Sequence, residues 1–125
     1  MLRGRYMHPT IPTSDLERAR AWYADKLGLA PEEELPGGLL YRTVGDAWFL
    51  LFPSSGAGTA QHTVAGWVVK DLEAEAAELC SRGVVFEDYG LPGLRTVDGV
   101  ATTPAGKAVW FRDSEGNLLG MIQLT

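Results

Sequence analysis

The 125-residue sequence predicts an α+β domain in which two tandem βαβββ modules form one curved mixed sheet with the helices outside. Three observations carry this expectation. A helical apolar stripe occurs twice, in residues 14–28 and 71–83; short β-type runs follow each stripe; and Asp15-Leu16-Glu17 recurs as Asp71-Leu72-Glu73, 71 − 15 = 56 positions later. Two copies are too few for a solenoid, so they are expected to pair around a hollow that would serve as the ligand site.

Each element has its own signal. Residues 6–13 are predicted as a strand, although Pro9 and Pro12 each remove a ladder donor. Ser14 stands three residues before Glu17, the spacing of a capping box, and a helix is predicted from there. Leu16, Ala19, Trp22, Tyr23 and Leu27 make its apolar stripe, and Gly28 supplies the left-handed cap. Residues 39–44 and 47–52 read as strands separated by turns, and Glu32-Glu33-Glu34 as a solvated strand start. Module one is thus placed at about 6–54, a linker of small polar residues at 55–61, and module two at about 62–125, all within a single domain spanning 1–125.

In module two, residues 62–69 read as a strand and Asp71 as the N-cap of a second helix. Leu72, Ala76, Leu79 and Cys80 form its stripe, with Cys80 expected to pack as a small hydrophobe. Gly83 ends the helix before a strand at 84–87. Residues 89–105, rich in Gly and Pro, read as an irregular segment that either covers a cavity or lies on the surface, with a short strand near 96–102. Residues 107–112 and 118–123 form a hairpin around Ser114-Glu115-Gly116-Asn117, and the last strand carries Gly120 at its middle.

Composition excludes several function classes. A net charge of −5 with dispersed Lys and Arg offers no stripe for a phosphate backbone, so nucleic acid is not an expected partner. The lone Cys80 allows no internal disulfide, and no apolar run approaches the roughly 20 residues of a membrane helix. Residues 1–10 hold two arginines without a following apolar stretch, and the chain is expected to be cytoplasmic, with no membrane contact. There is no Ser-His-Asp spacing, phosphate-binding Gly loop or Cys-x-x-Cys pair.

Two segments, His8-Pro-Thr-Ile-Pro-Thr-Ser-Asp-Leu-Glu-Arg-Ala-Arg-Ala-Trp-Tyr23 followed by Lys26-Leu-Gly28, and Trp110-Phe-Arg-Asp-Ser-Glu-Gly-Asn-Leu-Leu119, resemble the vicinal oxygen chelate superfamily. That superfamily includes lactoylglutathione lyase, bleomycin-resistance and fosfomycin-resistance proteins and extradiol dioxygenases. The resemblance implies the glyoxalase/bleomycin-resistance fold of paired βαβββ modules, a homodimer, and in the enzymes a divalent metal inside the sheet. It also implies ligands on the first strand of each module and a glutamate on the closing strand.

Of these implied positions, His8 fills the first, seven residues before Asp15. The equivalent before Asp71 is Val64, and His62 lies two strand residues away, roughly 6.6 Å along the chain. The glutamate position, three residues after Asn117, is Gly120. A catalytic metal wants about three protein ligands, so no cofactor is expected; a divalent metal, if bound, would use His8 and possibly His62. Otherwise His8 reads as a hydrogen-bonded pocket histidine and His62 as a solvated one.

If His8 faces the hollow, Thr10 does too, and Trp48, Trp67 and Trp110 lie on β-runs where parity decides between the packed and the open face. Aromatic walls with a few polar groups would suit a flat organic molecule, with Tyr41, Arg42 and Arg95 as orienting groups or ordinary surface residues. The leading expectation is a pocket protein that binds a small planar or apolar organic ligand beside a degenerate metal site. The alternatives are a divalent-metal-dependent lyase, isomerase or dioxygenase, a metal-free enzyme using His8 as general base, and an interaction protein with a filled hollow.

Overall fold

The computed structural model describes residues 1–125. Module one comprises β1 (Thr10–Thr13), α1 (Leu16–Leu27), β2 (Glu33–Leu35), β3 (Gly38–Arg42) and β4 (Trp48–Pro53), with strand order β1-β4-β3-β2. Module two comprises β5 (Thr63–Val68), α2 (Leu72–Ser81), β6 (Gly90–Leu91), β7 (Leu94–Val97), β8 (Val100–Thr103), β9 (Gly106–Arg112) and β10 (Leu118–Leu124), in the order β5-β10-β9-β8-β7-β6. In both modules the first strand runs parallel to the last, Ile11 opposite Leu51 and Trp67 opposite Met121. A parallel pair needs a crossover, and each helix provides one.

The helix ends show where local signals hold and where a distant contact overrides them. Asp71 caps α2 as expected, accepting from the Ala74 N–H at 3.1 Å. At α1 the cap is Asp15, which accepts from the Arg18 N–H at 3.0 Å, and not Ser14. Ser14 is drawn away because its hydroxyl donates to Glu115 Oε1 at 2.6 Å and its N–H donates to the same oxygen. The first strand begins only at Thr10, after Pro9. Cys80 is exposed, so the packed stripe of α2 reduces to Leu72 and Leu79.

Residues 84–87 make one bridge, Phe86 to Phe111, rather than a strand. Just beyond it the chain leaves the β9 edge, held by Asp88, whose Oδ1 accepts from the Gly99 N–H and the Thr96 hydroxyl at 3.0 Å each. Strand β8 then takes over pairing with β9 through Ala101 and Ala108. Gly99 is needed at this exchange: its φ is +81° and a Cβ would stand 2.8 Å from Phe86 Cβ. Residues 89–105 therefore widen the sheet as three short strands.

Both helices cover the same side of the sheets. Ile11, Tyr23, Leu39, Tyr41, Phe49 and Leu51 of module one join Leu72, Leu79, Val109, Phe111, Leu119 and Met121 of module two in one continuous core. Tyr41 and Phe49 stack 4.8 Å apart, and Phe49 meets Trp67 edge-on at 6.2 Å across the seam between modules.

A polar knot ties the modules at the β9–β10 turn. The Asp113 carboxylate is 7% exposed as a residue and accepts from the Tyr23 hydroxyl at 2.7 Å, the Glu115 and Asn117 N–H groups at 2.9 and 3.0 Å, and Asn117 Nδ2 at 3.0 Å. Asn117 Nδ2 also donates to the Pro12 carbonyl at 2.8 Å, while its Oδ1 accepts from the Gly58 N–H at 3.0 Å. Burial, with Asp113 beside it, raises the Tyr23 pKa far above the ordinary tyrosine value. Burial pushes the neighbouring Glu115 carboxyl up, but hydrogen bonds from Ser14 and Arg18 outweigh it and hold the pKa at about 2.

Asn117→Ala orphans Pro12 O, Gly58 N and part of Asp113, and is expected to cost about 3 kcal/mol in urea unfolding. Glu115 titrates lower folded than unfolded, so its contribution is complete above its ordinary 4.5 and is lost as pH falls from there through about 2. Glu73, lowered by its hydrogen bond from Lys107, contributes with the same sign. Glu115→Gln is expected to lower the urea midpoint at pH 7 and to shrink the drop between pH 5 and pH 2, read from unfolding curves across that range.

Candidate functional site

Strand alternation leaves the face opposite the helices open. In module one it carries Leu40 and Arg42 of β3 and Trp48, Leu50 and Phe52 of β4, all partly or fully exposed. In module two it carries Ala108, Trp110 and Arg112 of β9 and Gly120 and Ile122 of β10.

His8, Thr10, Trp48 and Arg42 come together on module one. The His8 ring stacks on Trp48 with centroids 3.9 Å apart and planes at 18°. Its Nδ1 lies 3.3 Å from the Pro9 carbonyl. Thr10 is exposed opposite Leu50, and Arg42 stands opposite Trp48 but commits its Nε to Glu32. Arg112 repeats that pairing in module two, with Glu87 at 2.7 Å. The guanidinium groups are thus held by carboxylates at the sheet ends.

Trp110 forms the centre of the second half. Tyr89 meets it edge-on at 5.6 Å, and in register it lies opposite Gly120, which lies opposite Gly66. A Cβ on Gly120 would stand 3.3 Å from Trp110 Cδ1 and 3.4 Å from Nε1, so the indole already fills the space a side chain there would enter. Gly66, Ala108, Trp110, Gly120 and Ile122 line a recess of about 160 Å³. Next to it, a seam cavity of about 180 Å³ is walled by Ile11, Trp48, Phe49, Ala65 and Trp67. Trp67 borders both.

Two expected orienting groups lie elsewhere. Tyr41 is fully buried on the helix side against Tyr23 and Phe49, and its hydroxyl has no partner. Desolvation there pushes its pKa up to about 12. Arg95 is exposed on β7, where the register from Ala108 through Ala101 reaches Thr96, placing Arg95 on the other face. Both misplacements arise because parity cannot be anchored before the helix-covered side is known. Gly66, Ala108 and Leu50 carry no chemical signal, and sequence reasoning passed over them.

The donor set does not fit the metal that the superfamily resemblance implies. His8 is the single donor at the implied positions; Val64 stands at the second and Gly120 at the third. His62 is exposed ahead of β5, and nowhere do three His, Cys, Asp or Glu side chains gather as a metal would require. No helix is long and apolar enough to cross a membrane.

The family described as "Bleomycin resistance protein-like N-terminal" matches residues 5–35. Among solved structures, TnmS3, an antibiotic binding protein from Streptomyces sp. CB03234, is 23% identical with a TM-score of 0.71, covering 97% of this chain and 98% of its own. A bleomycin-binding protein complexed with bleomycin is 21% identical with a TM-score of 0.70, covering 96% and 98%. The fosfomycin resistance protein FosX from Listeria monocytogenes is 12% identical with a TM-score of 0.67, covering 96% and 93%. No curated protein matches the sequence significantly.

Gly120→Ala makes Trp110 shift by a few tenths of an ångström and is expected to cost about 1 kcal/mol. That cost should disappear in a Trp110→Ala background, measured as a double-mutant cycle by chemical unfolding, with a change in tryptophan emission in the single variant.

Proposed function

We propose that this chain, which has the fold of the vicinal oxygen chelate superfamily, binds a small planar or apolar organic molecule on the open face of its sheets and holds it without a metal. The observation that carries this reading is the Trp110 indole seated over Gly120: an aromatic surface occupies the room where a metal-ligating carboxylate would project. Similarity to an antibiotic binding protein and to a bleomycin-binding protein supports small-molecule binding as such.

Binding would rest on stacking and desolvation. Trp110 is braced by Tyr89 and Trp48 by His8, so each ring is pre-oriented and a flat ligand loses little to side-chain ordering. Each aromatic pair adds about 1 kcal/mol beyond the area it buries. The His8 ring, stacked on one face of the Trp48 indole, and the exposed Thr10 hydroxyl supply polar groups beside it. The recess and the seam cavity are each below the roughly 300 Å³ of a drug-sized site. A second copy laying its own open face against this one would supply the missing wall, so the binding unit is a homodimer.

The test is titration with planar aromatic antibiotics and, separately, with metal-free bleomycin, followed by tryptophan emission, on protein stripped with chelator beforehand. Saturable quenching is expected, with Trp110→Ala and Trp48→Ala each weakening affinity about tenfold or more and His8→Ala by less. Binding that needs added metal, or turnover of a ligand that His8→Ala abolishes, would overturn the reading. Sedimentation should give twice the 13.6 kDa chain mass.

A further inference from the structure

A further cleft, which shares Trp67 with the two cavities above, lies on the helix side, where the end of α1 approaches α2. Leu27 and Leu29 of module one and Trp67, Leu79 and Met121 of module two line a space of about 250 Å³. Eight of its nine lining residues are hydrophobic, and the ninth is Glu75 on the first turns of α2. This space exists because α2 buries only Leu72 and Leu79 and so leaves the sheet beneath it incompletely covered.

Glu75 differs from the other carboxylates within α2. Glu73 is paired with Lys107 at 2.6 Å and Glu78 with Arg82 at 3.0 Å, whereas no cation lies within ion-pair distance of Glu75. The one unpaired acid is therefore the one at the apolar cleft. We propose that this cleft is a second binding site, for a small apolar amine whose ring enters between the two modules and whose ammonium group pairs with Glu75.

The chemistry narrows the class. Apolar walls reward burial of a hydrocarbon body, and an unpaired carboxylate at the rim rewards a positive charge, most where water is partly excluded. The volume is below that of a drug-sized site, which limits the ligand to one ring with a short chain. A carboxylate ligand would meet Glu75 and the chain's net charge of −5. Because the walls come from both modules, occupancy would also raise the stability of the folded chain.

The experiment uses the ¹⁵N-labelled full chain, titrated with phenethylamine and with 2-phenylethanol as its neutral counterpart. Phenethylamine is expected to shift the amide signals of Leu29, Val69 and Leu79, leaving the Trp48 and Trp110 indoles in place. Glu75→Gln, a change at an exposed position of α2, should weaken phenethylamine by about two- to fivefold and leave 2-phenylethanol unaffected. Leu79→Phe should exclude both. No shifts up to the solubility limit, shifts confined to Trp48 and Trp110, or equal amine affinity in Glu75→Gln would each overturn the proposal. Should Leu79→Phe fail to fold, the Glu75→Gln comparison decides alone.

Discussion

A carboxylate taken out of water and given no cation has to be met by hydrogen-bond donors, and the arrangement of this molecule follows from how Asp113 is met. Its donors come from the phenol of α1, from two backbone N–H groups of its own turn and from the Asn117 amide. Asn117 in turn reaches β1 through Pro12 and the inter-module linker through Gly58. Desolvating an unmet carboxylate costs several kcal/mol, so each partner must keep its place for the others to be tolerated. The turn of the last hairpin is thereby locked to the first strand and first helix. Glu115 strengthens the lock from outside by pulling Ser14 and Arg18 onto the same turn.

With the helices fixed on one side, the other side of both sheets is left over, and the modules use it differently. At the facing pair of positions module one has Leu40 and Leu50, whereas module two has Trp110 and Gly120. The two pairs divide their volume in opposite ways. In module two nearly all of it sits in one indole, which packs closely over a neighbour that has no side chain.

The charged residues that flank this surface add little to it. Arg42 and Arg112 occupy equivalent places and are each turned to a glutamate, in pairs that are substantially exposed. Such pairs contribute about 0 to 1 kcal/mol and are screened by salt. What they do is hold the guanidinium groups at the sheet ends, so that the middle of the face stays apolar. On the helix side the balance is reversed, since the apolar cleft has a carboxylate at its rim with no partner.

Much of this was legible in the sequence because it depends on local periodicity. The stripe of Leu16, Ala19, Tyr23 and Leu27, the Asp71 cap, the Gly28 stop and the Gly-Asn turn are each set by residues within one or two turns of each other, and the duplication they reveal implies the two-module fold. Likewise, Gly120 could be named as a position without a donor. What the sequence could not supply were facts that depend on contacts between distant segments. Ser14 is bound to Glu115, 101 residues away, in place of a cap role, and residues 84–87 leave the β9 edge to β8 where Asp88 bonds Gly99. Tyr41 and Arg95 fell on the wrong faces because alternation fixes relative parity only; which parity is inside depends on the side the helices cover. That Trp110 fills the space above Gly120, rather than standing clear of it, was decided by pairing across the sheet, and only the tertiary structure brings those strands together.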